Sequence, residues 1–218
     1  MHKSHLEITL NKTQAWLLSE KALYFPEDQS LVIADWHLGK SSHFRKYGIF
    51  IPKVSLFKEF TALEDLIEKY EVQRVVFLGD LFHSEWNKDW DLFKEAIEKF
   101  FDIEFILTRG NHDIIDFEKY GIGEVKVVKH FVINNDIILS HEPLKSTLGY
   151  AVNVVGHTHP GVVLQTKSKQ KFRLPCFYQE GKIFIIPAFG DLTGLYIMEK
   201  SDDNEIYVIL GDEVRKLK

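Results

Sequence analysis

A chain of 218 residues, 45% hydrophobic and 27% charged, is long enough to bury a substantial core and has an ordinary globular composition. Its net charge of -5 argues against a surface built throughout for nucleic acid or acidic membranes, but leaves room for a local basic patch. The single cysteine, Cys176, excludes an intramolecular disulfide; set in "LPCFY", it reads as a core residue. That usage suits a reducing compartment, and neither an apolar leader nor a membrane-length apolar run is present, so a cytoplasmic protein is expected. No linker or internal repeat divides the chain, which predicts one domain over residues 1–218.

The N-terminal "LEITLNKTQAWLLSEKALYFP" reads as strands. "SLVIAD" comes next as a buried strand ending at Asp35. Apolar residues at 54, 56, 57, 60, 63, 66 and 67 then predict a helix. A strand over 74–80, a helix over 90–101 and a strand over 103–109 continue the alternation, which suggests a parallel sheet with helices on its face. The second half is mostly short β-rich runs joined by turn-like "INND", "KSKQK" and "QEGK". An α/β first half meeting a β second half fits two stacked mixed sheets with outer helices.

Five strand-like runs each end in polar residues, at the end of the strand where ligands sit in open α/β sheets. Asp35-Trp36-His37 follows "LVIA", and Gly79-Asp80 follows "RVVFL". Gly110-Asn111-His112-Asp113 follows "IEFILTR", His141 follows "DIILS", and Gly156-His157-Thr158-His159 follows "NVV". Taken singly, each has a bland reading as a cap, a turn or a structural histidine. His157 and His159 on a straight strand would even point to opposite faces, unless the chain turns at Gly156. Together they supply two carboxylates, one amide oxygen and four imidazoles besides His112. With one carboxylate shared, that makes two four-ligand metal sites. Mixed nitrogen and oxygen ligands without thiolate favour manganese, iron, zinc or cobalt over calcium or magnesium. A close pair of such ions is a general device for displacement at phosphorus.

This series, Asp-x-His, Gly-Asp, Gly-Asn-His-Asp, His and Gly-His-x-His, resembles that of the calcineurin-like metallophosphoesterases. The resemblance implies a four-layer αββα sandwich and two divalent ions, manganese first. Asp35, His37 and His159 would hold one ion and Asn111, His141 and His157 the other, with Asp80 between them. His112 would be the catalytic histidine outside the ligand set, and Asp113 its orienting partner. "ADWHLGKSSHFRKYGIFIP", "GDLFHS", "SHEP", "GHTHP" and "PAFGDLTG" further resemble the bacterial phosphoesterases associated with DNA ligase and helicase genes in DNA repair, and related archaeal enzymes.

The resemblance implies a hydrolase of nucleic-acid or nucleotide phosphodiesters, attacking through hydroxide held between the ions, with repair ligase or helicase partners and room for homo-oligomers. A phosphomonoesterase or small-nucleotide pyrophosphatase is the alternative. A non-catalytic scaffold would be expected to have lost ligands, and none is missing. The second motif lacks the Asp-Arg-Gly ending of protein phosphatases, and Asp113 stands where many relatives carry Glu. Candidate substrate contacts are Lys40 and Arg45, with His43 and Lys46 in the same loop, and also His83 and Arg109. The basic turn over 166–173 is a candidate nucleic-acid contact.

Overall fold

A computed structural model of the chain describes residues 5–40, 44, 48, 54–83, 88–111, 113, 124–147 and 149–217. The first sheet has seven strands in sequence order: β1 (His5–Leu10), β2 (Thr13–Leu18), β3 (Leu23–Phe25), β4 (Ser30–Ile33), β5 (Arg74–Phe77), β6 (Glu104–Thr108) and β7 (Val125–Val128). Strands β1 to β4 form an antiparallel meander, whereas β4 to β7 run parallel. Helices α1 (Val54–Lys69) and α2 (Lys88–Glu98) lie between β4 and β5 and between β5 and β6 in the chain.

The second sheet takes β8 (Phe131–Ile133), β9 (Ile137–Ser140), β10 (Val152–Val155), β11 (Pro160–Gln165), β12 (Lys171–Glu180), β13 (Ile183–Ile185), β14 (Tyr196–Ile197), β15 (Asn204–Leu210) and β16 (Glu213–Lys216). Its order is β14-β11-β12-β13-β10-β9-β8, with β15 and β16 branching from β12. The branch is possible because β12 is long. Its first half pairs with β11, and its second half lies between β13 and β15.

Strand alternation builds the layers. In β4, β5 and β6, the residues Leu31, Ile33, Val75, Phe77, Phe105 and Leu107 face the helices. They meet Leu56, Phe60, Leu63 and Ile67 of α1, spaced as one helical face, and Trp90, Phe93 and Ile97 of α2. Val32, Val76 and Ile106 face the other way, into a core shared with Leu139, Val154, Phe184 and Ile186 of the second sheet. At one end, Asp136 ties the sheets together by accepting from Asn11 Nδ2 at 2.8 Å, the Lys12 amide at 3.2 Å and Thr13 Oγ1 at 3.3 Å. The opposite end collects the carboxyl ends of β4, β5, β6, β9 and β10. An isolated parallel bridge there, Ala34 to Ala188, joins the two sheets.

The α/β sandwich of two mixed sheets expected from the sequence is therefore present, with two differences. "EVKVV" belongs to the first sheet as its last parallel strand, although it opens the β-rich half of the sequence. The motif-bearing strands also stop earlier than their hydrophobic runs, at Ile33, Phe77 and Thr108, because the next residues leave the sheet to form the rim.

Candidate metal centre

The first two motifs zip together beyond the strand ends. Asp35 donates its amide to the Gly79 carbonyl at 3.2 Å, His37 to Asp80 at 2.9 Å and Leu38 to Leu81 at 2.9 Å. Five residues on this rim adopt left-handed backbone: Asp35 at φ 51°, His37 at 54°, Asp80 at 47°, His157 at 65° and His159 at 52°. Each such non-glycine residue costs about 1 kcal/mol or more, and such strain persists only where surrounding contacts over-determine it.

Glycines admit the neighbouring side chains. A Cβ at Gly79, whose φ is +70°, would overlap the His141 ring, and one at Gly110 would overlap the backbone nitrogen and Oδ1 of Asp80. The glycine of each motif thus makes room for the chemical group of another.

Two clusters result. Ligand-type atoms of Asp35, His37 and His159 lie within 4.8 Å of one another, as do those of Asp80, His141 and His157. Asn111 joins the second cluster, its Oδ1 3.0 Å from His141 Nε2. His157 and His159 go to different clusters. With the chain turned at Gly156 and both residues left-handed, strand alternation no longer governs them.

The clusters adjoin. The Asp35 carboxylate accepts the His157 amide at 2.8 Å through Oδ2, and its Oδ1 lies 3.8 Å from His141 Nδ1. Asp35 is fully buried, and its Oδ1 has no hydrogen-bond donor among the described residues.

The donor chemistry fits cations. His141 Nδ1 sits 2.9 Å from the Leu78 carbonyl, which can only accept, so the neutral ring carries its proton there and turns the Nε2 lone pair inward. That lone pair faces Asn111 Oδ1 at 3.0 Å, Asp80 Oδ1 at 3.5 Å and His157 Nδ1 at 3.0 Å. Acceptors converging in this way, with one imidazole fixed by a backbone carbonyl, are the arrangement of a metal site with its outer support.

The other sequence candidates fall around this rim. His83 lies edge-on to His37, ring centroids 5.7 Å apart, and donates its amide to the Leu38 carbonyl at 2.9 Å. Lys40 lines a small cavity with His37, Leu56 and Glu59, and desolvation holds its ammonium below the usual lysine range. Arg109 is exposed beside Asn111. Asp113 is buried. Its Oδ2 accepts the Gly110 amide at 2.9 Å, and its Oδ1 accepts those of Leu81 at 3.0 Å and Phe82 at 3.4 Å. Burial raises its carboxyl above the usual range, and the amides of Gly110 and Phe82 pull it back. His43, Arg45, Lys46 and His112 lie outside the described residues.

Sequence reasoning missed Glu59. Its carboxylate accepts the Trp36 indole N–H at 2.8 Å and the Asp191 amide at 2.7 Å, tying α1 to the first motif and to the loop after β13. An acid on the apolar stripe of α1, between Leu56 and Leu63, was the signal available. Lys129 and Lys145, which line the same cleft as Arg109 and Asn111, were not singled out from the sequence either. Lys129 follows a strand end, as the recognised clusters do, whereas Lys145 carries no local signal.

A rim of carboxylate, amide and imidazole acceptors on a two-sheet α/β sandwich defines a metal-dependent phosphoester hydrolase. The chain belongs to the calcineurin-like phosphoesterases, whose sequence model matches residues 30–161, more than half of its length. Among solved structures, the chain is similar to the nuclease MPE of Pseudomonas putida. The TM-score is 0.82 at 24% identity, covering 98% of this chain and 100% of that one. The phosphoesterase YfcE of E. coli aligns more weakly, at TM-score 0.41 and 15% identity over 84% of this chain and 88% of that one. No curated protein sequence matches. Among the described residues, no helix is long and apolar enough to cross a membrane.

Proposed function

We propose that the protein is a single-domain, two-metal phosphodiesterase acting on nucleic-acid or nucleotide phosphodiesters in the cytoplasm, in the setting of DNA repair. The observation that carries this reading is the pair of adjoining acceptor clusters, Asp35-His37-His159 and Asp80-Asn111-His141-His157, at one end of the sandwich. Asp80 is assigned as the carboxylate shared between the ions. Manganese is the preferred metal, since the set mixes imidazole with oxygen donors and contains no thiolate. A diester substrate is supported by the naming of the Pseudomonas putida relative as a nuclease.

Bound divalent ions supply a readily deprotonated water and offset charge on the phosphoryl oxygens. The protein's own groups do the rest. His112 follows Asn111 directly and is assigned as the proton donor to the leaving oxygen. Asp113 is assigned as the residue that orients His112, and by gathering the amides of Gly110, Leu81 and Phe82 it also fixes the second and third motifs against each other. Lys40, His83, Arg45 and Arg109 are assigned to substrate contact.

The reading is tested by comparing His112→Ala with Asp80→Asn on an aryl phosphodiester and an aryl monoester. His112→Ala should lower kcat about 10²–10⁴-fold with bound metal retained. Asp80→Asn should lower metal content itself. Wild-type rates in His112→Ala would remove its assigned role, and a clear monoester preference would overturn the diester assignment.

A further inference from the structure

Beside the second cluster lies an open cleft of about 560 Å³, walled on its inner side by Asn111 and His141. Its cations come from both sheets: Arg109 follows β6, Lys129 follows β7, and Lys145 lies in the loop after β9. Arg109 and Lys129 sit on neighbouring strand ends, where the Arg109 amide donates to the Val128 carbonyl at 3.1 Å. The Lys145 loop is pinned from below. Fully buried Asn153 accepts the Leu144 amide at 2.9 Å, and Ser140 Oγ donates to the Glu142 carbonyl at 2.8 Å.

All three cations are exposed, and among the described residues their side chains have no ion-pair partner. Among the described residues of the lining, Glu142 is the one acid. In a protein of net charge -5, this is a concentration of positive charge where substrate must approach the rim. One scissile phosphate does not need three cations spread over such a cleft. Phosphates on either side of it do. The described lining contains no Phe, Tyr or Trp, so it offers no stacking platform for a base.

We propose that this cleft is a phosphate track for a polynucleotide strand, reading backbone charge and not base identity. The proposal rests on the phosphodiesterase reading and narrows its substrate from nucleotides in general to strands. Its rival on this chain is the basic turn over 166–173, at the far end of β11 from His159 and so roughly 20 Å along the strand.

The test compares wild type, Lys129→Glu/Lys145→Glu and Lys167→Glu/Lys169→Glu. One arm follows fluorescence anisotropy of a labelled oligothymidylate of about twenty nucleotides across a salt series. The other measures hydrolysis of that strand and of an aryl phosphodiester. The cleft variant should weaken strand binding about tenfold or more and flatten the log-affinity against log-salt slope by about one to two. It should also lower the ratio of strand to aryl-diester kcat/KM about tenfold, whereas the turn variant keeps both readouts within about twofold of wild type.

An equal loss on both substrates would overturn the track, as would a loss carried by the turn variant. A preference for a nucleoside triphosphate over the strand, or about tenfold discrimination between oligothymidylate and oligoadenylate, would do the same. If wild type hydrolyses neither substrate with any metal, the phosphodiesterase reading fails, and the anisotropy arm still decides the cleft.

Discussion

At the scale of single residues, the rim is built by positions that give up backbone comfort. Asp35, His37, Asp80, His157 and His159 are all left-handed, and a converging set of acceptors is what they provide in return. Gly110 shows how little room is left. Gly110→Ala should displace Asp80, cost about 1–3 kcal/mol of stability and reduce metal affinity at the second cluster. Thermal unfolding with and without Mn²⁺ measures both effects, and a variant with wild-type Tm and metal response would contradict the packing argument. The identities of the clustered residues were legible in the sequence, because each follows a hydrophobic run. Their conformations were not, since nothing local marks a histidine for positive φ. The partners of Asp113 were also hidden: two of its three amides belong to residues some thirty positions earlier, brought near only by the pairing of β5 with β6.

At the scale of elements, α1 does more than cover the sheet. Through Glu59 it holds Trp36, between two candidate ligands, and the Asp191 amide, and Lys21 completes the set by pairing with Asp191 at 2.7 Å. Burial pushes the Glu59 carboxyl up to about 7, against an ordinary value of 4.5. A carboxyl raised in the folded state binds its proton more tightly folded than unfolded. Its contribution to stability is therefore full below about pH 4.5 and is lost as pH rises toward 7, by at most about 3 kcal/mol. Glu59→Gln cannot take that proton, so the wild-type-minus-variant difference in unfolding free energy should fall over this window. A flat difference would show that Glu59 titrates normally. The helix itself was readable from its apolar period, and its observed span of Val54–Lys69 contains every apolar position of that pattern. The role of Glu59 was not readable, because both of its partners are distant in sequence.

At the scale of the whole molecule, two sheets deliver five strand ends to one edge, and the Ala34–Ala188 bridge closes the seam between them. The strand-to-helix alternation announced the parallel half of the first sheet. The sequence did not announce that β7 would cross from the β-rich half to extend that sheet, or that Lys129 would thereby line one cleft with Arg109. Pairing of strands separated in sequence is decided by the shared core of Val76, Ile106, Leu139 and Val154, and no local pattern encodes it. The assembled edge is what makes the claim of two metal ions testable in one titration. The protein is stripped with EDTA and titrated with Mn²⁺ while hydrolysis of an aryl phosphodiester is followed. Activity should be absent at the start, rise with added metal and saturate at two ions per chain. Full activity in the stripped protein, or none at any metal loading, would contradict the account.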